Sequence, residues 1–230
     1  MLKNILITGG AGYVGTMLAY KLVSENKKVI IYDTFWYGEP KGLFFEIENK
    51  IKIVKADIRD LNSFEIAIKD NDVDCVIHLA CVSNDPSYEL NPDLGKSINY
   101  DCFENLVKIS KENGVKRFIY ASSSSVYGIK DEDQVTEDLS LEPLTDYSKY
   151  KALCEEILQK YIDKNFVGMI VRPATVCGFS KRLRLDLSVN ILTSHAYFKN
   201  KITIFGGEQY RPNLNIKDMI QFYVESLRYE

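Results

Sequence analysis

The sequence predicts an α/β protein built on a parallel sheet covered by helices on both faces. Three observations carry that prediction. Short β-branched runs of strand length recur along the chain, longer segments with helical spacing separate most of them, and the strand-like runs are nearly all apolar. A strand buried on both faces has no solvent side to mark with polar residues, so continuous apolar runs alternating with helices read as βαβ units.

The elements follow in order. Strand-length runs fall at Asn4–Thr8, Lys28–Tyr32, Ile51–Lys55, Cys75–Leu79, Arg117–Ala121 and Val167–Val171. Gly12–Glu25 has helical spacing, with Val14, Leu18 and Leu22 at four-residue intervals. Asp93–Asn113 places Leu94, Ile98, Cys102, Phe103, Leu106, Val107 and Ile109 on one face, and Asn113-Gly114 is an expected helix stop. A further helix begins near Tyr147 and runs through Ala152, Leu153, Ile157 and Leu158. The last fifty residues break the rhythm. Ser180–Asn200 reads as a loop and helix, Lys201–Phe205 as a short strand and Lys217–Arg228 as a helix. The chain then stops at Tyr229-Glu230 with no terminating signal, which suggests a fragment of a longer protein. No internal repeat or low-complexity segment interrupts this order.

Composition narrows the function classes. At 230 residues, 46% hydrophobic and 27% charged, the chain is of ordinary globular type and long enough to bury a core. A net charge of −3, with no block of like charges, argues against a nucleic-acid or membrane-surface partner. No apolar run approaches the ~20 residues of a membrane span, and Met1-Leu2-Lys3-Asn4-Ile5 runs straight into a strand, so no signal peptide is expected. The five cysteines are odd in number and lack metal-ligand spacing. They fit free thiols in a reducing cytoplasm, and no metal site is expected.

The strongest local signal is Thr8-Gly9-Gly10-Ala11-Gly12-Tyr13-Val14-Gly15, between the first strand and the first helix. Gly9 permits a tight turn, Gly12 lets the backbone approach a pyrophosphate, and Gly15 lets helix and strand pack closely; the phosphates then meet the positive helix end. Asp33 ends the second strand, eighteen residues after Gly15. A carboxylate there accepts hydrogen bonds from a ribose diol and repels a 2′-phosphate. No Arg or Lys lies in Thr34–Tyr37, so the expected cofactor is NAD and not NADP.

Tyr147 and Lys151 stand at i and i+4 and project from one helix face. A phenol, with a reference pKa near 10, is a poor base until a neighbouring ammonium and a cationic nicotinamide stabilise its anion. Alone, such a pair is common on exposed helices. Upstream, Ser122-Ser123-Ser124-Ser125 follows the fifth strand, at the carboxyl end where ligands bind in open α/β sheets. A serine there would bond the substrate oxygen that Tyr147 addresses.

With these residues in hand, the chain resembles the extended short-chain dehydrogenase/reductase family, in its NAD-dependent nucleotide-sugar epimerase/dehydratase branch. The matching segments are Gly9–Gly15, Asp57-Ile58-Arg59-Asp60, His78-Leu79-Ala80, Asn99, Ser122–Gly128, Tyr147–Lys151 and Arg172–Gly178, in the family's order over nearly the whole chain. The resemblance implies a Rossmann domain over residues 1–178 and a substrate-binding subdomain over 179–230, partial, with its last strand and helix returning to the first domain. It implies Tyr147 as base, Lys151 as its electrostatic partner and nicotinamide-ribose ligand, and Ser123 as hydroxyl partner. Asp57 and Ile58 would flank adenine, and Leu79, Ala80, Cys81 and Pro173 would line the dinucleotide. Asn99 would hold backbone and water behind Lys151. Ser83, Thr175, Asn190 and Arg211 would contact the nucleotide sugar, Arg211 as a pyrophosphate clamp to which Arg182 and Arg184 could add. Thr175 stands where many members have an asparagine, and Cys177 where a tyrosine is usual.

Other residues read as structural: His78 as a satisfied core histidine, His195 as a helix residue, Cys81 and Cys177 as small core side chains, Trp36 and Tyr37 as walls of the adenine-side loop. The leading expectation is C4 epimerisation of a nucleotide-linked hexose through a 4-keto intermediate. The nearest rival is a 4,6-dehydratase, which needs an acid–base pair where Ser124 and Ser125 stand. A keto-sugar reductase and a non-catalytic dinucleotide-binding protein are the remaining alternatives. A homodimer is expected through a four-helix bundle of Asp93–Asn113 and Tyr147–Tyr161, on the apolar surplus of Phe103, Leu106, Leu153, Leu158 and Tyr161.

Overall fold

The computed structural model describes residues 2–39, 42–83 and 85–229, so Glu230 lies outside it. Strands β1 (Asn4–Thr8), β2 (Lys28–Asp33), β3 (Ile51–Lys55), β4 (Cys75–His78), β5 (Arg117–Ala121) and β6 (Val167–Val171) form one six-stranded sheet, in the order β3-β2-β1-β4-β5-β6. Every pairing is parallel, with Ile7 opposite Ile31 on one side and Ile77 on the other. The order reverses between β1 and β4, which opens a crevice at the carboxyl ends of those strands.

Two apolar layers flank the sheet. On one face, α1 (Tyr13–Ser24) packs Leu18 and Leu22 against Ile5, Ile7 and Ile31. The other face is covered by α2 (Leu61–Lys69), by α5 (Phe103–Glu112) and by α6 (Asp146–Tyr161), through Phe64, Phe103, Leu106 and Leu158. Phe103, Leu106 and Leu158 are fully buried in this layer, so the apolar surplus noted in the sequence is largely core. Leu153, 38% exposed, and the partly buried Tyr161 remain towards the outside.

The segment read as one helix over Asp93–Asn113 is divided. After α3 (Asp85–Leu90), α4 (Pro92–Lys96) passes into a π turn over Ser97–Asp101 before α5 begins. A π turn admits one extra residue per turn, and here it delivers Asn99 to the loop after β4, where its side chain bonds both backbone groups of Val82.

Beyond β6, β7 (Thr175–Cys177) pairs in parallel with β8 (Asn213–Asn215), with α7 (Ser188–Lys199) between them. Lys201–Phe205, expected as a strand, is not one: its apolar alternation is right, but Ile204 and Phe205 are exposed and the segment pairs with no strand among the described residues. The strand that forms instead is short and polar. Helix α8 (Ile216–Ser226) joins the α1 layer through Ile216, Met219, Ile220, Tyr223 and Val224. The Arg117 guanidinium, buried at the start of β5, donates to the carbonyls of Ser226 and Tyr229, which a cation at a helix C-terminus satisfies well.

Candidate active site

The carboxyl ends of β1, β2, β4 and β5 surround a cleft of about 1220 Å³, larger than most single-ligand pockets. Its first wall is the glycine turn. Gly9 has φ +66°, and a Cβ there would come within 2.8 Å of the Ala80 backbone; a Cβ on Gly15 would lie 2.5 Å from the Gly9 carbonyl oxygen. Only hydrogen fits at either position. Helix α1 starts without a side-chain cap or an acid in its first turn. Its amide groups and its dipole are therefore left for an anion in the cleft.

Asp33 stands at the β2 end of the cleft. Its carboxylate accepts from the Ala11 amide at 3.0 Å and from the Phe35 amide at 2.8 Å. An ionised carboxylate has about four acceptor sites, so capacity remains for a pair of ribose hydroxyls. Asp57 and Ile58 close the adjacent side with Trp36 and Tyr37. The Asp57 carboxylate is held by the side chain and amide of Arg59, which lower its pKa even as partial burial opposes them.

Tyr13, Val14, Leu79, Ala80, Cys81, Ser83, Tyr147, Lys151 and Pro173 also line the cleft. The Lys151 ammonium, almost fully buried, donates to the Ala121 carbonyl at 2.6 Å and lies 5.8 Å from the Tyr147 ring centroid and 4.9 Å from that of Tyr120. Ser123 stands beside the cleft, whose wall at this point is Ser122. Its hydroxyl accepts from the Ser125 amide at 3.2 Å and the Ser125 hydroxyl at 2.8 Å, leaving its own proton to donate. Asn99 does not line the cleft. It is buried and supports the Val82 backbone, while its own carbonyl accepts from the Cys154 thiol.

Three expected sugar contacts lie elsewhere. Asn190 is buried, accepting from the Gly178 amide and donating to the Tyr13 hydroxyl and the Arg184 carbonyl, so its amide ties the glycine turn to the segment before α7. Thr175 is half-buried in β7 outside the lining, where its neighbour Val176 is found. Arg211 is exposed, away from the cleft. Besides Lys151, the cations that line the cleft among the described residues come from residues 181–186. Arg182 sits 4.5 Å over the Tyr37 ring, and Arg184 donates to Ser83 at 2.9 Å while pairing with Asp186.

His78 is buried beneath the site, its Nδ1 2.9 Å from the Thr8 hydroxyl and its ring among Phe103, Phe118 and Tyr120. Burial, with a smaller contribution from Lys151, lowers its pKa to about 3, so it is neutral. One cluster escaped the sequence reading: Ser122, Tyr127, Glu155 and Arg172 bond to one another behind the wall. The spacing of Tyr147, Lys151 and Glu155, each four residues apart, was its visible trace.

The fold and site define a dinucleotide-binding α/β protein with a tyrosine–lysine pair in its cleft, and comparison with known proteins agrees. The sequence profile of the NAD dependent epimerase/dehydratase family matches residues 5–229, and the chain belongs to that family. It is 27% identical to UDP-glucose 4-epimerase of Lactobacillus helveticus, over 98% of this chain and 72% of that one. It is 29% identical to D-erythronate dehydrogenase of Haemophilus influenzae, over 76% of this chain and only 55% of that one. Among solved structures, UDP-glucuronic acid 4-epimerase of Bacillus cereus, in complex with UDP-glucuronic acid and NAD, superposes with a TM-score of 0.85 at 27% identity, covering 99% of this chain and 74% of that one. NAD is the cofactor of the family, and the glycine turn, the open helix end and Asp33 fit it. No described helix is long and apolar enough to cross a membrane.

Proposed function

We propose that this chain, with NAD, epimerises a nucleotide-linked hexose at C4. The observation that carries the reading is that Tyr147 and Lys151 line the same cleft as the glycine turn and Asp33. When bound, NAD supplies a reversible acceptor for two electrons and the hydrogen on C4. Tyr147 takes the proton of the C4 hydroxyl as that carbon is oxidised. Lys151, fixed by the Ala121 carbonyl, stabilises the phenolate, and the Ser123 hydroxyl keeps its own proton and donates a hydrogen bond to the C4 oxygen. The same residues return the proton when the 4-keto sugar is reduced on its opposite face. Arg182 and Arg184 are the cations placed to meet a diphosphate.

Elimination across C5 and C6 needs a further acid and base, and the hydroxyls of Ser124 and Ser125 cannot serve at neutral pH. The likeness to D-erythronate dehydrogenase favours one alternative, a net oxidation or reduction with exchange of the cofactor. The two readings separate in one experiment, in which NAD-loaded protein is incubated with a panel of nucleotide sugars and products and absorbance at 340 nm are followed. Epimer formation without net NADH is expected. Stoichiometric NADH with a stable keto product would overturn epimerisation in favour of the dehydrogenase.

A further inference from the structure

We propose that Glu155, paired with Arg172, is a positioning residue that sets the depth of helix α6 against the ends of β5 and β6, and so fixes where Lys151 and Tyr147 stand. The inference rests on the roles proposed above for those two residues. Glu155 lies one helical turn beyond Lys151 and two beyond Tyr147, and its side chain is 2% exposed. One carboxylate oxygen accepts from the Ser122 hydroxyl and from Arg172 Nε at 3.1 Å; the other accepts from Arg172 Nη2 at 2.6 Å. Arg172 Nη1 donates to the Tyr127 hydroxyl at 2.8 Å. Every partner stands where the sheet ends. Ser122 directly follows Ala121, whose carbonyl holds Lys151, and Arg172 directly precedes Pro173, whose carbonyl accepts from the Ser124 amide.

A buried ion pair is a poor choice for stability alone. Its desolvation cost consumes most of the attraction, and an apolar pair of equal volume often serves as well. What an apolar pair lacks is direction. The Glu155–Arg172 fork admits one depth and one rotation of α6, and the Ser122 bond ties that setting to the strand end beside Ser123. Lys151 and Tyr147 share the rigid helix, so a shift at Glu155 reaches both.

The test compares wild type, Glu155→Gln and the double variant Glu155→Leu/Arg172→Met, each as the full chain with NAD. Glu155→Gln leaves a partly buried guanidinium without its charge partner, so melting temperature and turnover should both fall. The double variant removes both charges together and should recover most of the melting temperature. Its kcat should stay down by about tenfold or more, with KM within about threefold, the signature of misplaced groups and not of lost binding. A double variant with near-normal melting temperature and kcat would overturn the proposal and make the pair a structural filler. If that variant does not fold, Ser122→Ala decides. It spares the ion pair and should lower kcat without moving the melting temperature, and an unchanged kcat overturns the idea. If the wild type turns over no nucleotide sugar, the proposed function fails by itself. NAD affinity then decides: weaker NAD binding by the stable double variant supports positioning through Lys151, and equal affinity overturns it.

Discussion

Lys151 has three protons to place, and one of them goes to a backbone carbonyl at 2.6 Å. That bond restrains a long side chain which otherwise would sample many rotamers, and leaves the other donors for the cleft. The chemistry assigned to the pair follows. Tyr147→Phe keeps the ring and loses the proton acceptor, so fold and NAD binding should survive while turnover falls about 10²–10⁴-fold, the usual worth of one positioned base. Near-normal turnover would remove Tyr147 from the mechanism. Lys151→Ala should be as damaging, since it loses the charge beside the phenol, and the family resemblance, which implies a ribose contact for Lys151, predicts weaker NAD binding as well. Asp33 makes a separate prediction. Its carboxylate, already oriented by the Ala11 and Phe35 amides, should make the protein prefer NAD to NADP. Asp33→Ala should narrow that preference mainly by weakening NAD, measured by fluorescence titration with each dinucleotide; tighter NADP binding by the wild type would contradict it. These residues were legible because their type and spacing are dictated by ligand chemistry. Asn190 and Arg211 were legible only as motif positions, and neither lies in the cleft lining. A motif records residue type. It does not record which groups capture the side chain, and two backbone groups and the Tyr13 hydroxyl capture that of Asn190.

At the scale of elements, the first turn of α6 deserves a measurement of its own because Tyr147 is its second residue. Thr145 and Ser148 form a reciprocal cap: the Thr145 hydroxyl accepts from the Ser148 amide at 3.3 Å, and the Ser148 hydroxyl accepts from the Thr145 amide at 3.1 Å. Thr145→Ala removes half of it and should cost about 1 kcal/mol of stability. The frayed turn carries Tyr147 and not Lys151, so kcat should fall several-fold while NAD affinity holds. Loss of NAD affinity in step with kcat would show that the cap acts on the whole helix. The inner strands β1, β2, β4 and β5 could be read from the sequence because burial on both faces enforces continuous apolar runs, whereas the edge strand β3, with Lys52, Ile53 and Lys55 exposed, could be read from its β-branched residues. The π turn could not, because it follows from the meeting of Asn99 with Val82, residues far apart in the chain. Lys201–Phe205 failed for a related reason: alternation describes a strand only when an edge is available to pair with it, and Asn213–Asn215 took the edge of β7 despite its polar composition.

For the molecule as a whole, His78 ties stability to pH. It is packed among three aromatic rings under the site, and burial lowers its folded-state pKa to about 3, against roughly 6.5 in an unfolded chain. Between those values the unfolded chain binds a proton at this histidine and the folded protein does not. Acid therefore favours unfolding: the stabilisation is present above the unfolded value and is lost as pH falls below it, by about 1.4 kcal/mol per pH unit. From pH 7 to pH 5 the loss attributable to His78 should reach about 2 kcal/mol, before most carboxylates begin to protonate. Urea unfolding at pH 7, 6 and 5 measures it directly. His78→Asn should be less stable than wild type at pH 7, since it gives up ring packing and the full reach to the Thr8 hydroxyl. Its stability should nevertheless decline less steeply towards pH 5, so that the two curves converge. Parallel curves would mean that His78 takes up its proton in the folded protein, and that the layer beneath the cleft is open to water.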